Sequence, residues 1–301
     1  MLHNNKDLFD AIVIEASEKY NIVPVIIEKD YYVTLFLREI AKRNSNIIFK
    51  GGTSLSKCFH LINRFSEDID LSIESDIKLT VGQRRKLVSD IKDIIQYYGF
   101  ILKNPNDIRS RRDFNHFEVD VHSIFSSEYI KRDLIVETSI FIRSFPTAKM
   151  SVSSYIYDYL KLICREDIIS EYNLEPFDIN VQAAERTFVD KIFAICDYYL
   201  DGNIDEHSRH LYDLYKISDI VAINDSLKEL FYKVREERKI HKTCLSARDD
   251  VDIKTCIQEI IEKDIYKKDY EKITAQLIFD GVEYETVKKF LIIISNSILF
   301  N

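Results

Sequence analysis

Two aspartates separated by one residue, Asp68 and Asp70, stand out in the segment SEDIDLSI. The alternation of Ile69, Leu71 and Ile73 predicts a strand with these apolar side chains on one face and both aspartates on the other. Two residues along a strand span about 6.6 Å, so both carboxylates can bind one hard cation or a pair of cations. Without a cation they would repel each other and cost stability. The pair therefore predicts a site for Mg²⁺ or Mn²⁺.

A glycine pair lies upstream of the aspartates, directly after residues 46–49, which predict a short buried strand. Gly51 and Gly52 allow backbone N–H groups to approach an anion closely. Thr53 and Ser54 follow at the start of a predicted helix, where phosphate is favoured. The segment GGTSLSK lacks the second glycine that a Walker A loop has before its lysine, which excludes that motif. A phosphate site beside a metal site indicates phosphoryl or nucleotidyl transfer, with metals bridging the attacking and leaving oxygens.

Each half of this pattern also has an ordinary structural explanation. A Gly-Gly pair is a common turn, and an Asp-x-Asp strand is often a solvated sheet edge. The order strand, turn, helix, strand within residues 46–73 is what favours a nucleotide site.

The elements that must position these residues indicate a mixed α/β first part. Helices are predicted over the first forty residues, from Thr53 to Leu61 and over residues 83–98, and strands over 46–49, 67–73, 100–103, 114–122 and 134–142. From residue 183 onward the periodicity is almost wholly helical. We therefore expect a first domain of residues 1–182 and a helical bundle of residues 183–301.

The composition excludes several classes of protein. The chain has 301 residues and a net charge of -8, which argues against a generally basic nucleic-acid coat. Its five scattered cysteines form no CxxC pair and indicate reduced thiols, with neither a disulfide framework nor a zinc site. The N-terminus lacks a signal-peptide pattern, and the longest apolar run, 290–300, is too short and too interrupted to span a bilayer. We expect a cytoplasmic protein without a membrane partner.

Five segments together resemble the AbiEii/AbiGii toxin family, which includes the MenT toxins, within the polymerase-β-like nucleotidyltransferase superfamily. They read EKDYYVT at 28–34, FKGGTSLSK at 49–57, RFSEDIDLSI at 64–73, ERTFVDKIFAI at 185–195 and RHLYDLY at 209–215. The resemblance extends to about residue 220. It implies an α+β fold, in which a polymerase-β-like nucleotidyltransferase domain with a mixed sheet precedes a C-terminal helical bundle. The active site would lie in the cleft between them.

The resemblance also implies roles for residues outside the aspartate motif. Lys191 of VDKI is implied to enter the active site, bind the nucleotide and offset triphosphate charge. Ser66 is implied to line the site. Asp213 of RHLYDLY is implied as an active-site acid, either a base for the acceptor hydroxyl or an orienter of Lys191. Arg209 and His210 share its helix face, so a local ion pair is the alternative explanation.

The superfamily places a third carboxylate on a later strand, and two residues compete for that position. Glu137 stands alone among apolar neighbours in DLIVETSIF, where a bare charge is costly unless it meets a cation. Asp120 shares a polar strand face with Glu118 and His122 and has a solvated role as its alternative. We favour Glu137 as the third metal ligand. If neither residue binds, the site resembles family members that rely chiefly on the first pair.

By resemblance, the protein is a Mg²⁺-dependent nucleotidyltransferase toxin of a toxin–antitoxin or phage-defence pair, which transfers NMP from an NTP and releases pyrophosphate. The implied acceptor is a tRNA 3′ end, and the implied partner is an antitoxin encoded next door. Two alternatives stay open: transfer to a protein or a small molecule, and a non-catalytic nucleotide-binding or partner-binding module. The presence of both Asp68 and Asp70 favours the enzyme, because a degenerate site would usually have lost one of them.

Two basic clusters complete the set of candidate residues. They are Arg84, Arg85 and Lys86, and Arg109, Arg111 and Arg112. Clusters of this kind are usually solvated surface. In an enzyme that acts on RNA they are candidate phosphate contacts.

Overall fold

A computed structural model describes residues 1–64, 66, 68–74, 79–126, 130 and 132–300. The described chain falls into two compact units, one of Met1–Cys58 and Ser66–Val181 and the other of Phe59–Phe65 and Gln182–Asn301. Residues 59–65 therefore belong to the second unit although they lie between elements of the first. The division into a nucleotidyltransferase domain of residues 1–182 and a helical bundle domain of residues 183–301 stays a prediction.

The first unit combines helices with a sheet. Its helices are Lys6–Tyr20 (α1), Pro24–Arg43 (α2), Gly51–Lys57 (α3), Val81–Tyr97 (α4), Tyr155–Leu162 (α5) and Glu166–Tyr172 (α6). Its strands are Ile47–Lys50 (β1), Ile69–Ile73 (β2), Ile101–Leu102 (β3), Phe114–Asp120 (β4), Leu134–Ser139 (β5), Thr147–Val152 (β6) and Phe177–Gln182 (β7).

The strands form one mixed sheet in the order β3-β4-β5-β2-β1-β7-β6. β1 is antiparallel to β2 and parallel to β7, and β2 is parallel to β5. β4 is antiparallel to both β3 and β5. Ile69 and Leu71 of β2 are fully buried, as their alternation predicts, while Asp70 between them is half-buried. The predicted α+β fold with a mixed sheet is confirmed.

The structure differs from the predicted elements in several places. The helix expected to reach Leu61 ends at Lys57, and residues 59–65 take no part in it. β2 begins at Ile69, and the predicted start of that strand, Glu67, lies outside the described residues. β6 was not predicted, because TAKMSV is largely exposed and lacks alternating apolar residues. β7 was not predicted either, although its Phe177, Ile179 and Val181 alternate.

The charged residues of EKDYYVT serve the fold of the first unit. Glu28 is fully buried in α2, and its carboxylate accepts hydrogen bonds from the Ser123 hydroxyl and from the backbone N–H groups of Ile124 and Phe125. The neighbouring Lys29 donates to the carbonyl of Asp133 at 3.0 Å. Buried charges need such partners, so this segment fixes both ends of the single connection between β4 and β5.

Asp30 of the same helix fixes the end of α3. Its carboxylate pairs with Lys57 and accepts a 2.9 Å hydrogen bond from the backbone of Tyr155. Lys57 is itself buried, at 8% exposure. The two glycines therefore begin a helix whose other end is tied to α2.

The second unit consists of helices. They are Ala184–Asp201 (α7), Arg209–Ile217 (α8), Asp225–Lys239 (α9), Ile253–Glu262 (α10), Lys267–Asp269 (α11), Ala275–Leu277 (α12) and Tyr284–Ser295 (α13), with a π-helical turn at Tyr270–Thr274. The segment 59–64 contacts these helices: the N–H of Asn63 donates to the Tyr212 hydroxyl at 2.9 Å, and its carbonyl accepts from the N–H of Phe279 at 2.8 Å. Within the described residues of both units, none of the helices has the length and apolarity to cross a membrane.

Candidate active site

Gly51 brings the backbone at the start of α3 against the carboxylate of Asp70. It has a left-handed φ of +79°, and a Cβ at this position would lie 1.9 Å from Asp70 Oδ2. β1 and β2 pair antiparallel with Lys50 opposite Asp70, which places the turn over the aspartate. Glycine is therefore required both by its backbone conformation and by the carboxylate. The glycine and aspartate motifs are two halves of one local structure.

Four polar residues lie in one row across four neighbouring strands. Lys50 is opposite Asp70, Asp70 is opposite Glu137, and Glu137 is opposite His116. Residues paired directly across strands point to the same face of a sheet. The row therefore places Glu137 beside Asp70, on the face opposite to Ile69.

His116 contacts the carboxylate of Glu137 directly. Its Nδ1 lies 2.9 Å from Glu137 Oε1, and its Nε2 lies 3.7 Å from Glu118 Oε1. Alternation along β4 predicts a polar face that includes Glu118, but it does not distinguish His116 from the other residues of that face. Only the register of β4 against β5 shows which residue of that face meets Glu137.

Asp120, the competing third acid, lies elsewhere on β4. It is opposite Ile101 of β3, and its Oδ1 accepts a 2.8 Å hydrogen bond from the backbone of His122. Four residues of strand, about 13 Å, separate it from His116. The register therefore favours Glu137 over Asp120, and the assignment stays a prediction.

The hydroxyl side chains predicted to bind phosphate differ in the groups that they contact. Thr53 Oγ1 lies 3.0 Å from Ser66 Oγ, so the structure brings Ser66 to the start of α3. Ser54 is fully buried and donates its hydroxyl to the carbonyl of Gly51 at 2.8 Å. Gly52 follows Gly51 in the first turn of α3. Of these side chains, the Thr53–Ser66 pair is the one whose hydroxyls meet each other rather than the helix backbone.

The carboxylates have the donor chemistry for a hard cation. Asp70 and Glu137 are neighbours in register, and Asp68 precedes Asp70 by two residues. Oxygen ligands of this type suit Mg²⁺ or Mn²⁺. Across the described ranges, no three His, Cys, Asp or Glu side chains are already gathered around one metal position. By residue type and register, the set fits a divalent metal.

Glu137→Gln tests the third ligand. We expect it to lower nucleotidyl transfer about 100-fold and to raise the metal concentration needed, because losing a charged ligand removes several kcal/mol of charge stabilisation. Asp120→Asn, the matched control, should stay within a few-fold of wild type. A metal titration of initial rates measures both, and the opposite ranking would assign the role to Asp120.

A second cluster lies within the other unit and centres on Asp213. Arg64 Nε and Nη2 donate to the two oxygens of this carboxylate at 2.6 and 2.8 Å, and Lys191 Nζ lies 2.5 Å from Oδ2. Asp213 is fully buried and Lys191 is 6% exposed. The ammonium of Lys191 is thus buried against the carboxylate of Asp213. Arg64, which no earlier prediction assigned a role, completes a bidentate pair.

The charges of this cluster determine its protonation. Burial would raise the pKa of Asp213, but the charges and hydrogen bonds of Arg64 and Lys191 hold that pKa well below its ordinary value. Burial lowers the pKa of Lys191, and the charge of Asp213 opposes this effect. Asp213 is therefore ionised at neutral pH, and both of its oxygens are occupied. A carboxylate in this state is a weak proton acceptor.

His210 extends the cluster beyond Lys191. Its Nδ1 lies 3.4 Å from Lys191 Nζ, and burial holds the pKa of His210 well below its ordinary value. The imidazole is therefore neutral at pH 7, and its Nδ1 can accept from the ammonium. Lys191 therefore contacts both Asp213 and His210.

The structure thus groups the predicted site residues in two sets. The first unit brings together the residues of the glycine turn, the aspartate strand and Glu137, and the second brings together Lys191 and Asp213. Arg209, which shares the face of Asp213 on α8, lowers the pKa of Lys191 through its charge.

Comparison with known proteins gives one family and several solved structures. Residues 35–290 match the family described as nucleotidyl transferase AbiEii toxin, type IV toxin–antitoxin system. Among solved structures, the chain is similar to MenT4, a nucleotidyltransferase toxin from Mycobacterium tuberculosis H37Rv. The match has 18% sequence identity and a TM-score of 0.48, and covers 76% of this chain and 71% of that chain. Curated protein sequences gave no match.

Proposed function

Since the chain belongs to the AbiEii family of nucleotidyltransferase toxins of type IV toxin–antitoxin systems, we propose that it transfers NMP from an NTP to the 3′ end of tRNA. The reaction uses Mg²⁺ or Mn²⁺ and releases pyrophosphate. The family predicted from the five sequence segments is confirmed, and the chain is a nucleotidyltransferase. The observation that carries the proposal is the position of Asp70, whose carboxylate lies against the backbone of Gly51 and which pairs with Glu137 across β2 and β5.

The metal would be held by Asp68, Asp70 and Glu137. A bound divalent ion supplies charge neutralisation at the phosphates and brings the attacking and leaving oxygens together. The residues of the first unit position it: Gly51 admits the carboxylate of Asp70, and His116 holds the orientation of Glu137. A residue such as His116, which orients a metal ligand without binding the metal itself, typically contributes 10–100-fold to metal affinity or activity.

The phosphates would be bound at the start of α3. Gly51 and Gly52 offer backbone N–H groups. The Thr53 and Ser66 hydroxyls hydrogen-bond to each other at 3.0 Å, which leaves one of the two O–H groups to donate to a phosphate oxygen. Ser54 contributes through its backbone, because its hydroxyl already donates to Gly51. This division refines the predicted set without removing a residue from it.

Lys191 would offset the charge of the triphosphate, and Asp213 would orient it. The occupied oxygens and lowered pKa of Asp213 support the role of orienter over that of a base for the acceptor hydroxyl. An ammonium held by a carboxylate and a neutral imidazole keeps its charge and its direction.

The cellular setting follows from the family. A type IV toxin–antitoxin system implies an antitoxin as partner, and we propose that it is encoded beside this chain. The cytoplasm is the compartment in which NTPs, tRNA and reduced thiols occur together, in keeping with five free cysteines among the described residues.

A labelling reaction tests the proposed function. Purified protein is incubated with Mg²⁺, each α-labelled NTP in turn and total tRNA, beside Asp68→Ala and the control Asp120→Ala. We expect label on tRNA with wild type and control, and a loss of at least about 1,000-fold in Asp68→Ala, because a metal ligand is removed. Label on protein or on a small molecule would refute the tRNA acceptor, and absence of any transfer would refute the reaction.

A further inference from the structure

The structure joins the two basic clusters on the first unit into one surface. The arginine surface consists of Arg84, Arg85, Lys86, Arg109, Arg111 and Arg112. Arg84 of α4 pairs with Asp113 and donates to the carbonyl of Arg111 at 3.4 Å, which holds the start of α4 against the loop before β4. We propose that the arginine surface binds the sugar-phosphate backbone of the RNA acceptor; this inference rests on the proposed function.

Arg85, Arg111 and Arg112 are the cations of this surface that are most available to a ligand. They and Arg109 are exposed, and none of the four has a carboxylate partner in the part of the chain that the structure describes, although Arg109 donates to the carbonyls of Asn106 and Ile108. Arg84 is paired with Asp113, and Lys86 is paired with Asp90 at 2.6 Å. The surface therefore keeps a net positive charge on a chain whose net charge is -8. A polyanion would be repelled by most of the protein and attracted here.

The composition of the surface suits phosphate. Five of its six cations are arginines, whose planar guanidinium can pair bidentately with phosphate oxygens. The first turn of α4 carries no acidic residue, and Arg84, Arg85 and Lys86 follow in the next turn. A cation near a helix N-terminus is unfavourable for helix stability. Arg84 and Lys86 offset this cost through their pairs with Asp113 and Asp90, whereas Arg85 has no carboxylate partner among the described residues.

The surface lies close to the metal-binding row along the same strand. The carbonyl of Asp113 accepts a 2.8 Å hydrogen bond from Ile140, so the ladder between β4 and β5 extends to the loop and fixes it to the sheet. Arg112 precedes His116 by four residues, about 13 Å of extended chain, and His116 contacts Glu137. This distance is short enough for an RNA whose 3′ end reaches Glu137 to extend its preceding nucleotides over the arginine surface.

Charge-reversal variants distinguish RNA binding at the arginine surface from a general effect of the protein's net charge. The test variant is Arg85→Glu/Arg111→Glu/Arg112→Glu. The control is Lys6→Glu/Lys19→Glu/Lys149→Glu, which reverses three exposed cations of the same unit on α1 and β6. Binding of fluorescent tRNA to wild type and both variants is measured by anisotropy without NTP, across a range of salt concentrations, and thermal unfolding checks that each variant is folded.

We expect the test variant to bind tRNA about 100-fold more weakly near 0.1 M salt, with a salt slope smaller by about two, since three phosphate contacts are lost. The control should bind within a few-fold of wild type. Equal losses in both variants would overturn the inference, because the effect would then be one of net charge. Unchanged affinity in the test variant would also overturn it and leave an acidic protein as the ligand. Because binding is measured without transfer, failure of the tRNA acceptor in the labelling reaction is a separate result.

Discussion

Replacing Gly51 by alanine is expected to lower nucleotidyl transfer at least about 100-fold, because it displaces the Asp70 carboxylate. The new Cβ would lie 1.9 Å from Asp70 Oδ2 and 2.8 Å from its Cγ, so the aspartate or the turn must move. A displacement of about 1 Å at a reacting centre is enough for a loss of this size. The backbone adds a penalty of about 1–2 kcal/mol, since φ is +79° at Gly51.

Gly99→Ala is the matched control for this substitution. Gly99 has a φ of +74° in the same unit, and no atom lies within 4 Å of a Cβ built there. It therefore shares the backbone penalty of Gly51→Ala without the contact to Asp70. We expect similar small losses of stability from the backbone in both variants, and a loss of activity in Gly51→Ala alone. Initial rates and urea unfolding measure the two effects, and equal rates in both variants would contradict the role given to the contact.

Asp213→Asn is expected to destabilise the protein by about 3–5 kcal/mol, because it leaves two buried cations without their anion. Arg64 and Lys191 both contact this carboxylate, and their side chains are 3% and 7% exposed. Transfer activity should be lost as well, since Lys191 loses its orientation. Asp219→Asn is the control just after the end of α8: its side chain is 63% exposed and 3.9 Å from Lys216, so we expect a change within about 0.5 kcal/mol.

The difference in unfolding free energy between wild type and Asp213→Asn should depend on pH, because the pKa of Asp213 is lowered in the folded protein. A carboxylate whose pKa is lower in the folded state contributes its full stability above its unfolded pKa of about 4. That contribution is lost as the pH falls through the folded pKa. The stability gap between wild type and Asp213→Asn should therefore be constant from pH 7 to about pH 5 and shrink below about pH 4. Urea unfolding across this range measures it, and a gap that grows on acidification would contradict the assigned charge state.

Local spacing in the sequence by itself determined the first motif and the fold class. Alternation placed Asp68 and Asp70 on one strand face, and Gly51 and Gly52 after a buried strand predicted a turn that other groups approach closely. Strand periodicity and glycine conformation depend on only a few neighbouring residues, so both can be predicted from the sequence without knowledge of the fold. The mixed α/β first part and the helical second part followed from the same periodicities, and the order of five short segments indicated the family.

Strand order decided which later residues join the first motif. β2 lies beside β5, and β5 beside β4, which places Glu137 next to Asp70 and His116 next to Glu137. A shift of register by two residues would have brought a different member of the same polar face of β4 to Glu137. Periodicity assigns residues to a face but carries no information on which strands pair or in what register. The sequence therefore favoured Glu137 over Asp120 as the third metal ligand, but it did not show which of the two lies beside Asp70.

Only the tertiary structure showed which charged residues meet in the Asp213 cluster and in the arginine surface. Arg64 and Asp213 are 149 residues apart in the chain and form a buried bidentate pair. The two basic clusters became one surface because Arg84 contacts the loop that contains Arg111. Such contacts depend on packing between elements that are distant in sequence. The spacing of charged residues along the chain does not predict which of them will pair. The sequence therefore identified the residues that can do the chemistry, whereas the fold decided which of them meet.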